Sequence, residues 1–158
     1  MATLTVTHTE SVTLNGAARG STNSLSITGV DDIYHRIITV PTGDTTIATF
    51  HSVVTASDAS LDLAHAKYIR VTNLDGSAAV VLQLQITNAD SAADENAAIK
   101  VGAGESFLLG NMDAGIGSSG AADTGATAIA VGNLEDLESI IVTAPSEVKV
   151  EMFVASVA

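Results

Sequence analysis

Apolar and polar residues alternate with a period of two over much of this chain. That is the spacing of strands with one face in a core and the other turned outward. The clearest stretch runs from Lys67 to Gly110. It opens with Lys67-Tyr68-Ile69-Arg70-Val71-Thr72-Asn73-Leu74, breaks at Asp75-Gly76-Ser77 and resumes as Val80-Val81-Leu82-Gln83-Leu84-Gln85-Ile86. A polar loop follows from Thr87 to Asn96, Ala98 to Val101 pairs weakly, and Gly102 to Gly104 turns into Ser106-Phe107-Leu108-Leu109-Gly110. The stretch reads as two strands joined by a turn, with the look of a hairpin, then a loop and a third strand. In the first strand Ile69, Val71 and Asn73 share one face and Tyr68, Arg70, Thr72 and Leu74 the other. In the second, Val80, Leu82, Leu84 and Ile86 line one face, while Gln83 and Gln85 mark the opposite face as wet or partner-bound.

The same periodicity places the other elements. From Ala2 to Leu14, one parity holds Leu4, Val6, His8, Glu10, Val12 and Leu14 and the other is Thr and Ser. His8 and Glu10 interrupt the apolar face, so either this strand bends there or residues 1–14 form an extended N-terminal arm laid on a neighbouring chain. Asn15-Gly16 and Gly20-Ser21 are turn signals. Leu25-Ser26-Ile27 is a short strand, Gly29-Val30-Asp31-Asp32 a turn, and Ile33 to Val40 a strand stopped by Pro41. Thr45 to Val54 is the next strand. Ala56 to Ala66 reads as a loop with room for one capped helical turn ahead of Leu61 and Leu63. The glycine-rich stretch 110–126 is a long loop, Thr127 to Val131 a strand, and Asn133 to Glu138 a candidate helical turn. Ser139 to Thr143 and Glu147 to Val154 close the chain as strands split by Pro145-Ser146. About ten short strands separated by turn signals, with no βαβ alternation, predict an all-β antiparallel sandwich or barrel with little helix. Residues 15–158 are expected to form a single β-sandwich domain.

Composition narrows the functions open to such a fold. A formal net charge of −12 from 18 acids and six bases, the bases scattered, argues against a nucleic-acid or anionic-membrane partner. With no cysteine there is neither a disulfide framework nor a thiolate metal site. The aromatic share is 3%, so the core is built mostly from small aliphatics, which favours an oligomer and disfavours a lectin that would need aromatic platforms. The start, Met-Ala-Thr-Leu-Thr-Val, lacks the basic and apolar blocks of a signal peptide, and no apolar run reaches the length of a membrane span.

Candidate chemistry is thin. Gly115-Ile116-Gly117-Ser118-Ser119-Gly120 matches the dinucleotide-binding spacing, but the residues after it make a poor helix in a chain with 13 glycines. His8, His35, His51 and His65 lie on separate segments without the spacing of a zinc site. Asp90, Asp94 and Glu95, and Asp113 with Asp123, are acidic loop groups that lack the calcium-loop pattern. No Gly-x-Ser-x-Gly elbow is present. The expectation is therefore a non-enzymatic protein with no catalytic residues, metal or cofactor, acting through its surfaces. Those surfaces are Leu4, Val6 and His8 of the arm, Gln83 and Gln85 on the wet strand face, and Met112 and Ile116 in the glycine-rich loop.

The run from Tyr68-Ile69-Arg70-Val71-Thr72-Asn73 through Val81-Leu82-Gln83-Leu84 to Gly104-Glu105-Ser106-Phe107 resembles small virion structural proteins of tailed bacteriophages, especially marine cyanophages. The alternating start Thr3-Leu4-Thr5-Val6-Thr7 is similar in style. The resemblance implies a jelly-roll or related β-sandwich subunit, made in the host cytoplasm and located in the virion. It further implies a homo-oligomer, often a trimer, that binds the major capsid protein or another virion protein and cements the assembled shell. The alternatives are a tail, neck or fibre component, and a calcium- or carbohydrate-binding module.

Overall fold

A computed structural model describes residues 2–51, 60–86, 95–110 and 137–158. Among them the chain is all-β, as its periodicity predicts, and no helix occurs. Twelve strands follow in order: β1 (Ala2–Thr9), β2 (Thr13–Leu14), β3 (Ala17–Ala18), β4 (Thr22–Val40), β5 (Gly43–His51), β6 (Ser60–Asp62), β7 (Ala66–Asn73), β8 (Val80–Ile86), β9 (Glu95–Val101), β10 (Ser106–Gly110), β11 (Leu137–Ala144) and β12 (Val148–Val157). One five-stranded sheet has the order β1-β4-β12-β7-β10 and the other β6-β5-β11-β8-β9, with β2 and β3 forming a separate pair. Every pairing is antiparallel except the short one between β5 and β6. The pairings nest: β4 with β12, β5 with β11, β7 with β10, β8 with β9.

Alternation explains why these strands face one another. In β8, Val80, Leu82, Leu84 and Ile86 are buried. In β12, Val148, Val150, Met152 and Val154 are buried, and in β11, Ile140, Val142 and Ala144. All of these except Ile86, with Ile69 and Val71 of β7 and Ile47 and Phe50 of β5, form one core between the two sheets. Each fully buried aliphatic of this size contributes about 1.5–3 kcal/mol.

Four local expectations change. Asp75-Gly76-Ser77 does not close a hairpin, because β7 and β8 belong to different sheets; the break is a corner between them. The buried side chain of Asn73 pins that corner. Its amide Nδ2 donates to the carbonyls of Ala78 (2.8 Å) and Gly102 (3.1 Å), and its Oδ1 accepts from the Asp75 N–H (3.0 Å). Asp75 in turn accepts from the N–H groups of Ala78 (2.7 Å) and Ser77 (2.8 Å), and these bonds hold its carboxyl below the usual carboxylate range.

Gly29-Val30-Asp31-Asp32 is no turn either. β4 runs through it for 19 residues, taking β1 along residues 22–30 and β12 along residues 30–40. Register shifts in both pairings coincide there, and Gly29 at φ 80 supplies the left-handed residue that bends the strand without ending it. Of Ala56 to Ala66, the described part holds strand β6 and a turn, not a helix. Leu137 and Glu138 already belong to β11. The Thr127 to Val131 strand expectation lies outside the described residues.

Candidate functional site

The N-terminal strand forms a two-stranded ribbon with the first half of β4. Leu4 pairs with Ile27, Val6 with Leu25 and His8 with Asn23. One face is a hydroxyl ladder in which Thr3, Thr5, Thr7 and Thr9 oppose Thr28, Ser26, Ser24 and Thr22. Thr22 donates to Thr9 (3.3 Å), and the hydroxyls of Thr7 and Ser24 lie 3.3 Å apart. The other face is apolar at its root. Leu4, Val6 and Ile27 pack with Phe153 and Val157 on the buried group Val30, Tyr68 and Ala155. Leu4 and Val6 are therefore half-buried against the chain's own sheet, while His8 is exposed farther along the ribbon. At the tip, Asn15 (φ 52) and Gly16 (φ 77) make the left-handed pair that suits a two-residue hairpin loop. Val12 and Leu14 stand exposed beside it.

Strand parity fixes what the outer face of the first sheet carries next to the ribbon. His35 of β4 and Arg70 of β7 both lie opposite Phe153 of β12. His35 Nε2 donates to Glu151 Oε1 and Arg70 donates to Glu151 Oε2, each at 2.7 Å. One carboxylate thus ties β4, β12 and β7 together. The His35 hydrogen bond and the Arg70 charge hold the Glu151 carboxyl below its usual range, against the opposing effect of partial burial. The Arg70 guanidinium lies 5.6 Å from the Phe153 ring centre, a cation–π distance, and the rings of His35 and Tyr68 lie 5.8 and 6.0 Å from it. Burial pushes the Tyr68 phenol up, with Arg70 opposing. Around this charged centre Ile33, Ile37 and Leu108 are exposed aliphatics.

The outer face of the second sheet is different. Gln83 Nε2 donates to Thr143 Oγ1, which donates to Asp44 Oδ1, both at 2.6 Å. Ser139 donates to Gln85 Oε1 at 2.6 Å. Gln83 and Gln85 are half-buried members of cross-strand hydrogen-bond pairs, one of which ends on the Asp44 carboxylate.

The sequence-predicted surface residues therefore fall on two opposite faces. Leu4 and Val6 belong to the first sheet, Gln83 and Gln85 to the second, and Met112 and Ile116 lie outside the described residues. So do Gly115 to Gly120, Asp90, Asp94, Asp113 and Asp123; Glu95 opens β9. Of the histidines, His65 sits 3.3 Å from Asp62 and His51 is exposed at the end of β5. Among the described residues no group of three or more His, Cys, Asp or Glu is placed to hold a metal ion. The Glu151 network escaped sequence reasoning because its members come from three strands far apart in the chain and no local motif joins them. No known family model, curated protein or solved structure matches the chain.

Proposed function

We propose that the chain is a non-enzymatic virion structural protein, a homo-oligomeric jelly-roll subunit that binds an assembled capsid shell as a decoration protein. The nested pairing of β4 with β12, β5 with β11, β7 with β10 and β8 with β9 carries this reading. Folding a ribbon of nested antiparallel pairs into two facing sheets is how a jelly roll is built, and that architecture recurs in viral capsid and lectin domains. Fold alone does not choose between those uses. The exposed aliphatics of the first sheet favour protein contact over sugar binding, and the chain has few aromatic platforms for a sugar.

Antibody labelling of intact particles of the phage that encodes the chain tests the proposal. Label spread over the whole shell is the expected result. Label confined to one vertex would transfer the protein to the tail or neck, and particles without label would overturn the virion reading altogether.

A further inference from the structure

Asn15 is followed by Gly16, whereas the other asparagines are followed by Ser24, Leu74, Ala89, Ala97, Met112 and Leu134. The neighbour matters because an asparagine side-chain carbonyl is open to attack by the backbone nitrogen of the next residue. A side chain on that residue crowds the approach, and glycine has none. The structure adds to this. Asn15 and Gly16 are exposed, as is every residue from Glu10 to Ser21. A β-carbon placed on Gly16 would meet nothing within 4 Å, so the space beside the attacking nitrogen is open. Leu14 pairs with Ala17 and Thr13 with Ala18, which leaves Asn15 and Gly16 outside the ladder. Strands β2 and β3 are two residues each, and so short a two-stranded pair opens locally without the frame. Opening frees the Asn15 backbone to turn its Cγ toward the Gly16 nitrogen. Asn23 has a small neighbour in Ser24, but it is fixed in the β1–β4 ladder opposite His8. Asn73 is fully buried, with its amide bonded to carbonyls.

We infer that Asn15 is a site of spontaneous deamidation, a modification that rewrites the tip of the ribbon. The Gly16 nitrogen gives up its proton and bonds to Asn15 Cγ. The Cγ–Nδ2 bond breaks, and the amide nitrogen takes up a proton and leaves as ammonia. Water then opens the cyclic imide. Attack at Cγ leaves aspartate with the main chain as before; attack at the backbone carbonyl carbon leaves isoaspartate, whose main chain runs through Cβ and Cγ. The net change is water in and ammonia out, with no oxidant or reductant.

The two products differ in what they do to the fold. Aspartate before glycine suits the same two-residue loop and tolerates the left-handed conformation that Asn15 holds at φ 52. Isoaspartate lengthens the main chain inside a loop that fits two ordinary residues, so Leu14 no longer closes on Ala17. Each product adds a negative charge beside the exposed Val12 and Leu14. The inference goes beyond the proposed function and does not rest on it.

Incubating the full folded chain at mildly alkaline pH, followed by proteolysis and mass spectrometry, tests it. The peptide that carries position 15 should gain the mass difference between an amide and a carboxyl, several-fold faster than the peptides carrying Asn23 or Asn73. The rate should rise with pH, because the attacking nitrogen must lose its proton. Asn15→Gly keeps a favoured hairpin pair and should abolish the gain. The products, separated by chromatography, should then divide in amide spectra. The aspartate form and Asn15→Asp should keep the wild-type signals of Thr13 and Ala18, and the isoaspartate form should lose them. A folded chain that stays unmodified where the urea-unfolded chain reacts would overturn the inference, as would a gain no faster than that at Asn23. An isoaspartate form with unchanged Thr13 and Ala18 signals would overturn the claim that the tip is rewritten. None of these readouts involves particles, so they stand or fall apart from the virion reading.

Discussion

Two side chains in this protein hold several segments together, and they do it in opposite settings. Asn73 is fully buried, neutral, and joins the 75–78 corner to the 102–105 turn at one end of the sandwich. Glu151 is charged, lies on an outer face, and joins three neighbouring strands through His35 and Arg70. A buried neutral hub has no water to fall back on, so breaking it leaves carbonyls and an N–H unpaired. A surface charge pair is partly replaced by water when broken, so it contributes little to stability. The first arrangement belongs to the frame. The second leaves a charged and aromatic centre, ringed by exposed aliphatics, available to a partner.

The largest expected effect comes from breaking the buried hub. Asn73→Ala strips the partners from the Ala78 and Gly102 carbonyls and from the Asp75 N–H, and should cost about 2–4 kcal/mol of stability. Urea unfolding followed by circular dichroism reads this as a lowered midpoint. Asn73→Asp sharpens the point, because it keeps Oδ1 but replaces the donor amide with an acceptor facing carbonyl oxygens. It should be no milder than the alanine. A midpoint shift below that of a typical surface substitution would remove Asn73 from its place in the frame.

How much of this was legible in the sequence depends on whether the signal was local. Val80 to Ile86 read correctly residue by residue, because β8 sits inside its sheet with one dry face and one wet face, and alternation reports that directly. Alternation puts Asn73 on the same face as Ile69 and Val71, and it is buried with them. Its task was not legible, since its partners belong to two turns whose proximity depends on the fold. Gly29-Val30-Asp31-Asp32 misled because the composition of a turn and that of a bent strand are the same; only pairing on both sides of β4 distinguishes them. The Asp75-Gly76-Ser77 corner misled for a related reason. Turn residues announce a change of direction but not whether the next strand stays in the same sheet. The Glu151 network is wholly non-local and left no trace in the spacing of its residues.

A middle-sized effect is expected at Phe153, which underlies the charged centre. Its ring is half-buried and touches the planes of His35, Tyr68 and Arg70. Phe153→Ala should cost about 2 kcal/mol, less than a fully buried aromatic because part of the ring already meets water. The same variant should loosen the seat of the ribbon, which packs on Phe153 through its satellite core. Hydrogen exchange along residues 2–9 and 22–28 should then speed up more than in β8. Equal protection loss in both regions would mean that the ribbon and the frame unfold as one unit.

The smallest effect is expected at Glu151, and it carries a pH signature. The carboxyl is held below the range of an unperturbed glutamate, about 4.3. A carboxylate whose folded value is depressed contributes stability above its unfolded value, and loses that contribution as the pH falls through the lower folded value. Glu151→Gln keeps the shape and removes the charge, so at neutral pH it should cost only about 0.5–1 kcal/mol, given the partial exposure of all three partners. The difference between wild type and variant should be present at neutrality and shrink toward zero in strong acid as the wild-type carboxyl is protonated. Added salt should shrink it as well, because the pair is open to screening. Urea midpoints measured for both proteins across that range check the sign. A difference that persists undiminished in strong acid would show that the His35 and Arg70 contacts do not stabilise the charged form, and the contrast with Asn73 would then rest on burial alone.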